Sequence, residues 1–327
     1  MIKMELKLLK IRDFEPVLPI IQGGMAIRIS TGNLAGAVAA ENAIGLIAAS
    51  GMEQDELINE VKIARAKSGG KGLVGVNIMI AATECLDLVR TALSASVDLI
   101  VVGAGFSKEV FKIVKESGKK VAIVPVVSSA KAAKLSLKLG ADAVVVEGTE
   151  AGGHLGTDRP MKEILKEVID EINGEIPVIA AGGVLYGKDI CEVMKMGASG
   201  VQMATRFVMS DECNADRKFK EMYIKYGDRE TVKFLSPVGY PGRAIPNAYI
   251  DRVEAGEIKD RCTHLCLKSC SRRFCIIESL IRSQKGDVEN GIVFAGARFN
   301  EIKDILPVKV IIQNLLKEIK NCSEEVA

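Results

Sequence analysis

Short runs of apolar residues recur along the first two thirds of the chain, each bounded by glycine or polar turn residues. They cover 19–25, 44–50, 73–80, 99–105, 120–127, 143–148, 177–183 and 200–207. Their starts lie 21 to 34 residues apart. Unbroken apolar runs predict strands buried on both faces, as in a parallel sheet. Helical spacing fills the gaps. Leu57, Val61 and Ala64 repeat with Glu60 and Lys62 on the other face, and Val110, Ile113 and Val114 do the same. Ala132, Ala133, Leu135 and Leu139 stop at Gly140; Met161, Ile164, Leu165 and Val168 precede the seventh run; Ile190, Val193 and Met194 end at Gly197. Strand and helix alternating eight times predicts an α/β TIM (β/α)8 barrel. A doubly wound open sheet is the alternative, disfavoured because the spacing shows no break near the middle.

Beyond residue 207 the pattern changes. Helices are predicted over 218–227, 274–285 and 308–319, a Pro- and Gly-rich loop over 236–247, and a polar, Cys-rich stretch over 253–271. The expected organisation is a barrel from 1–210 with 291–327. A C-terminal elaboration, 211–290, would sit near its mouth and carry a Cys-rich segment at 262–275. With 48% apolar and 26% charged residues the 327-residue chain has enough apolar surface for a substantial core. Lys and Arg total 44 against 42 Asp and Glu, a net charge of +2. That balance argues against a nucleic-acid binder, which needs a basic face to neutralise phosphates. No apolar run approaches the ~20 residues of a membrane span. The first dozen residues lack a secretory apolar core, so a cytoplasmic protein is expected.

Active sites of TIM barrels lie at the C-terminal ends of the strands. The seventh run ends in Gly182-Gly183 and the eighth holds Gln202 and Thr205. Glycine lets backbone N–H groups approach an anion, and these two strand ends commonly form a phosphate site. His154, one of only two histidines, follows Gly152-Gly153 after the sixth run. An imidazole on the rim can exchange a proton near neutrality; the plainer reading is a loop histidine bonded to backbone. Glu147 and Glu150 flank that loop, either to orient a ligand or as solvated carboxylates.

These residues resemble one family. The segments are Pro19-Ile-Ile-Gln-Gly-Gly-Met25, Gly75-Val-Asn77, Glu147-Gly-Thr-Glu-Ala-Gly-Gly-His-Leu-Gly156, Pro177-Val-Ile-Ala-Ala-Gly-Gly183 and Gly200-Val-Gln-Met-Ala-Thr-Arg-Phe207. They are similar, in order and spacing, to the nitronate monooxygenase (2-nitropropane dioxygenase) family, which includes flavin-dependent enoyl-acyl-carrier-protein reductases. Ser236-Pro-Val-Gly-Tyr-Pro-Gly-Arg-Ala-Ile-Pro-Asn247 resembles a family loop near the active site. The resemblance implies non-covalent FMN. Gly23, Gly24 and Met25 would pass under the flavin ring, and Asn77 would hydrogen-bond it. Glu147 would join the cofactor site. Gly182, Gly183, Gln202, Met203 and Thr205 would hold the ribityl phosphate, and His154 would be the catalytic acid or base. Two reactions fit: oxidation of an alkyl nitronate with oxygen, and NAD(P)H-dependent reduction of an enoyl thioester on acyl carrier protein. The 236–247 loop leans to the nitronate reaction. A flavin or iron–sulfur electron-transfer protein and a non-redox barrel acting on a phosphorylated substrate are the other classes. A small-molecule substrate and a homodimer are expected.

Cys262, Cys266, Cys270 and Cys275 crowd into fourteen residues around His264. Four soft ligands could bind an iron–sulfur cluster or Zn²⁺, but the spacing matches neither the ferredoxin run nor paired zinc knuckles. Reduced thiols packing under the following helix are the alternative.

Overall fold

The computed structural model describes residues 6–258, 262 and 265–324. The elements run β1 (Ile20–Gln22), α1 (Gly32–Ala40), β2 (Ile44–Ala48), α2 (Gln54–Ser68), β3 (Leu73–Met79), α3 (Cys85–Ser94), β4 (Leu99–Gly103) and α4 (Lys108–Glu116). They continue with β5 (Ala122–Val127), α5 (Ala130–Lys138), β6 (Val144–Glu147), β7 (Gly153–His154), α6 (Met161–Ile172), β8 (Val178–Ala181), α7 (Gly187–Lys195), β9 (Gly200–Met203) and α8 (Thr205–Val208). The chain ends with α9 (Arg217–Lys225), β10 (Val232–Leu235), β11 (Pro241–Ala244), α10 (Ala248–Glu254), α11 (Ile276–Gln284) and α12 (Val308–Glu324).

Eight of the strands, β1 to β6 with β8 and β9, pair in parallel and close into a barrel, β9 meeting β1. The apolar runs split by alternation. Ile21, Leu46, Val101, Val124, Val145, Ile179 and Ala181 point inward, where Leu9, Ile11, Phe14 and Val17 of the N-terminal segment pack with them. Val76, Val102, Val146, Ala180, Val201 and Met203 point outward into the layer shared with the helices. Both faces of every strand are thus buried, which is why the sequence shows runs rather than alternation.

A second, three-stranded antiparallel sheet has the order β10-β11-β7. It stands over the C-terminal end of the barrel, because β7 lies in the loop after β6. A third apolar cluster, including Phe234, Val238, Tyr249, Leu267, Phe274, Ile276 and Leu280, forms beneath this sheet and α10 and α11. The Cys-containing C-terminal elaboration is tied to the barrel rim. Leu267 bridges Ala82, and the Lys268 ammonium donates to the Ile80 carbonyl at 2.7 Å. Among the described residues no helix is long and apolar enough to cross a membrane.

Candidate active site

Strand alternation fixes what the barrel presents at its open end. Ala48 lies beside Asn77. Glu147 lies beside Ala181, and Ala181 beside Gln202. Since Ala181 points inward, so do Glu147 and Gln202. Asn77, Glu147 and Gln202 are therefore the polar side chains that β3, β6 and β9 direct into the opening.

Above them lies a cavity of about 240 Å³. Of the sequence-predicted residues, Gly23, Gly24, Met25, Asn77, Glu147, His154, Gln202 and Thr205 line it. A smaller cavity of about 50 Å³ adjoins, lined by Gly182, Gly183, Met203, Ala297 and Arg298. Glu147, Gln202 and Thr205 line both, so they form the neck between the two. Met203 reaches the smaller cavity differently from the expectation. Its neighbour Gln202 points inward, so alternation turns the Met203 side chain into the helix-facing layer, where it is 1% exposed. Its carbonyl accepts from the Gly23 N–H at 2.9 Å.

Two glycine features are required by the geometry. A Cβ on Gly24 would lie 2.3 Å from the Asn77 Cβ, so only glycine lets the β1 turn cross that side chain. Gly182 and Gly183 have φ of +97° and +73°, a left-handed turn that leaves their backbone facing the smaller cavity. Arg298 closes this cavity. Its guanidinium donates to the Gly183 carbonyl at 2.6 Å and pairs with Asp189 at 2.9 Å and Glu301 at 2.5 Å. The Gly296 N–H donates to the Thr205 hydroxyl at 3.1 Å.

His154 is held from above. Its strand pairs with β11, His154 opposite Gly242. Its Nε2 lies 2.8 Å from the Ser236 hydroxyl, and Phe294 meets the imidazole edge-on at 5.3 Å. Burial pulls the imidazole from 6.5 down to about 4, so it is neutral at pH 7. Burial pushes the Glu147 carboxyl from 4.5 up to about 7, with no hydrogen bond or charge offsetting the shift.

Sequence reasoning missed Arg298, Phe294, Ser236 as the imidazole's partner, and the apolar wall from Met79, Val238, Leu267, Ile276, Ile277 and Leu280. The Ala-Gly-Ala-Arg stretch at 295–298, a Gly-containing turn ending in a cation, is the signal that could have found the first.

The cysteine segment lies against this site. Cys266 lines the larger cavity, whereas Cys262, Cys270 and Cys275 do not. Cys275 is buried at the start of α11, and the Cys270 sulfur accepts from the Arg272 N–H at 3.4 Å. Burial, with the neighbouring thiols, pushes Cys266 up to about 11, so it is a protonated thiol at neutral pH. Among the described residues no group of three or more His, Cys, Asp or Glu side chains is arranged to hold a metal ion. The expected ligands Cys262, Cys266, Cys270 and Cys275 are not arranged as such a group, although the other three lie near enough to Cys266 to raise its pKa. His264 lies outside the described residues.

A sequence profile for the family described as "Nitronate monooxygenase" matches residues 71–318, well over half of the chain. The chain belongs to the nitronate monooxygenase family. The solved structure of FabK from Thermotoga maritima superposes with a TM-score of 0.84 at 33% identity, covering 94% of each chain. The (3aS,4S,5R,7aS)-5-hydroxy-7a-methyl-1-oxo-octahydro-1H-indene-4-carboxyl-CoA dehydrogenase of Mycobacterium tuberculosis is 30% identical over 239 residues, 73% of this chain. The match spans 66% of that dehydrogenase, just under two thirds of its length. A probable nitronate monooxygenase of Staphylococcus aureus is 26% identical over 289 residues, 74% of this chain and 79% of its own.

Proposed function

We propose that the chain is an FMN-dependent reductase acting on a neutral, apolar unsaturated acyl thioester, with a reduced nicotinamide as electron source. The observation that carries this reading is the character of the larger cavity. Its outer wall is Met79, Val238, Leu267, Ile276, Ile277, Leu280 and Phe294, and among the described residues no Lys or Arg lines it. The ionisable groups that do are Glu84, Glu147, Tyr223, Cys266 and His154, and the imidazole is neutral. An anionic nitronate entering this space would lose its hydration without meeting a cation. An acyl chain would gain from burial against the same wall. The likeness to FabK over 94% of both chains supports the same side, as does the relative that acts on a coenzyme A thioester.

The residues present fit FMN. The Gln202 Oε1 is buried without a hydrogen-bond partner among the described residues, so it calls for a donor on an occupant. Gly182, Gly183, Thr205 and Arg298 would hold the phosphate in the smaller cavity, Arg298 supplying the charge. Gly23, Gly24 and Met25 would border the ring, with Asn77 and Gln202 hydrogen-bonding its edge. When bound, FMN supplies two-electron transfer between nicotinamide and substrate.

The chain's own contribution is proton placement and exclusion of water. His154 would relay the proton that completes saturation of the substrate, giving its ring proton as it takes one originating from solvent on the other nitrogen, since the imidazole is neutral. The Val238 N–H donates to the Ser236 hydroxyl oxygen at 3.4 Å, and the same hydroxyl stands 2.8 Å from the histidine Nε2. With that hydroxyl donating to Nε2, the imidazole's own proton would stand on Nδ1. Phe294 and the wall beneath β10 and β11 keep the reacting atoms dry.

Nitronate oxidation, toward which the sequence leans, is the second reading. It is favoured by the family profile and by the coverage of the staphylococcal relatives. Comparing kcat/KM for enoyl thioesters of increasing chain length with that for propyl-2-nitronate tests the choice. Values that rise with chain length and exceed the nitronate's support the reductase. A nitronate value above every thioester's overturns it.

A further inference from the structure

Glu147 has no role in the proton transfer assigned above, yet it occupies the point through which any ligand spanning both cavities must pass. It ends β6, points inward beside Ala181, and lines the larger and the smaller cavity together with Gln202 and Thr205. An occupant with its phosphate among Gly182, Gly183 and Arg298 and its ring near Asn77 would run past this carboxyl.

The surroundings supply no charge to balance it. Val126 of β5 and Ala181 of β8 are apolar, and Asn77 of β3 and Gln202 of β9 are neutral amides. In the following loop the Glu150 carboxylate is occupied by the Met161 N–H at 3.0 Å, and the Arg243 guanidinium by the Thr149 carbonyl at 2.9 Å. His154 of β7 is neutral. Glu84, before α3, accepts from the Gly51 N–H at 3.1 Å. The Tyr223 hydroxyl donates to the Phe294 carbonyl at 2.7 Å. Burial keeps both that phenol and the Cys266 thiol protonated. Arg298, the one Lys or Arg lining either cavity among the described residues, is already paired with Asp189 and Glu301.

We propose that Glu147 is a proton-uptake site coupled to the oxidation state of the flavin. While the flavin is oxidised, the carboxyl exchanges its proton with solvent near neutrality. Two-electron reduction adds negative charge beside it, and with no cation free to balance that charge, ionised Glu147 takes up a proton. Reoxidation by substrate removes the added charge, and the proton returns to solvent. Per two electrons the protein thus binds one proton beyond any taken by the flavin itself, and the electrons come from the reduced nicotinamide. The push of the carboxyl toward about 7 in the bare cavity agrees with this placement, since it puts the exchange within the physiological range. This inference rests on flavin binding at the neck, as proposed above, but not on which substrate reoxidises the flavin.

The test is a spectroelectrochemical titration of the flavin-loaded protein between pH 6 and 9, on wild type and Glu147→Gln. Flavin content, read from the visible spectrum, separates failure of the cofactor reading from failure of this one. In wild type the midpoint potential should fall with pH more steeply, by one proton per two electrons, across an interval just above neutrality. In Glu147→Gln, which keeps shape and hydrogen bonding but cannot ionise, that added slope should vanish with the flavin still bound. Parallel slopes in the two proteins would overturn the proposal. Infrared difference spectra of wild type alone give a second reading that does not depend on the variant folding. Reduction above neutral pH should produce the C=O band of a newly protonated carboxyl, and its absence would equally overturn the proposal.

Discussion

Gly24→Ala isolates the contact on which the cofactor cradle depends. Gly24 does not have a positive φ, so alanine brings no backbone strain there, only a methyl group. That methyl would sit 2.3 Å from the Asn77 Cβ, 2.8 Å from its Cγ and 2.9 Å from its Oδ1. Rotating Asn77 relieves the last two contacts but not the first. The Cβ is fixed by β3, which is paired with β2 on one side and β4 on the other. Forced overpacking of this kind costs about 1–3 kcal/mol. If expressed as stability, melting of the apoprotein should fall by about 2–4 °C per kcal/mol. If expressed as displacement of Asn77 from the flavin edge, FMN affinity should fall about 5- to 150-fold. Calorimetry of the apoprotein and quenching of FMN fluorescence on titration separate the two. A Gly24→Ala/Asn77→Gly double variant should recover part of the lost melting temperature, since it removes the clashing Cβ, but none of the lost affinity. Wild-type melting and wild-type affinity in Gly24→Ala would refute the cradle as described.

Other expectations follow from single groups. His154→Ala should keep its flavin and lose about 10²–10⁴ in turnover; steady-state assay with spectral quantification of FMN checks both halves, and near-normal turnover would reduce His154 to a loop residue. Arg298→Gln should narrow the preference for FMN over riboflavin by about tenfold or more, because a charge-assisted hydrogen bond to phosphate is worth about 1.5–3 kcal/mol; an unchanged ratio in equilibrium titration would move the phosphate elsewhere. In the apoprotein, His154 and Glu147 should make opposing contributions to pH-dependent stability. Between about pH 4 and 6.5 the unfolded chain binds the His154 proton and the folded one does not, so stability rises with pH. Between 4.5 and about 7 the folded chain keeps a Glu147 proton that the unfolded chain has lost, so stability falls with pH. The two nearly cancel where they overlap, and urea unfolding should show a rising limb in Glu147→Gln and a falling one in His154→Gln; variants that parallel wild type would contradict both shifts.

The barrel was legible because each of its strands is apolar on both faces, leaving runs that no amphipathic pattern obscures. Helix α1 was not legible, for the converse reason: in Gly32–Ala40, seven of nine residues are buried, so there is no polar face to mark a period. The β7-β10-β11 sheet was hidden too. β7 is two residues long, and β11 lies in a Pro- and Gly-rich stretch that reads as a turn. Both are strands only because tertiary pairing makes them so. Asn77, Glu147, Gln202 and Thr205, expected at the open end from the sequence, line the larger cavity because the fold dictates where its openings lie. Ser236 and Arg298 were not singled out, since each reaches the site from a segment whose path the barrel pattern does not fix. The Met203 side chain turns outward, as simple alternation after Gln202 requires, while the residue still borders the smaller cavity. The cysteine spacing was ambiguous in sequence, and the structure turns just one of these thiols, Cys266, toward the larger cavity.

Anaerobic stopped-flow mixing of the flavin-loaded protein tests the functional reading most directly. On the reductase reading, NADH or NADPH bleaches the flavin, and an enoyl thioester then restores its colour within the turnover time. Bleaching by propyl-2-nitronate without any nicotinamide, with reduced flavin left untouched by the thioester, would contradict it and establish the nitronate reaction instead.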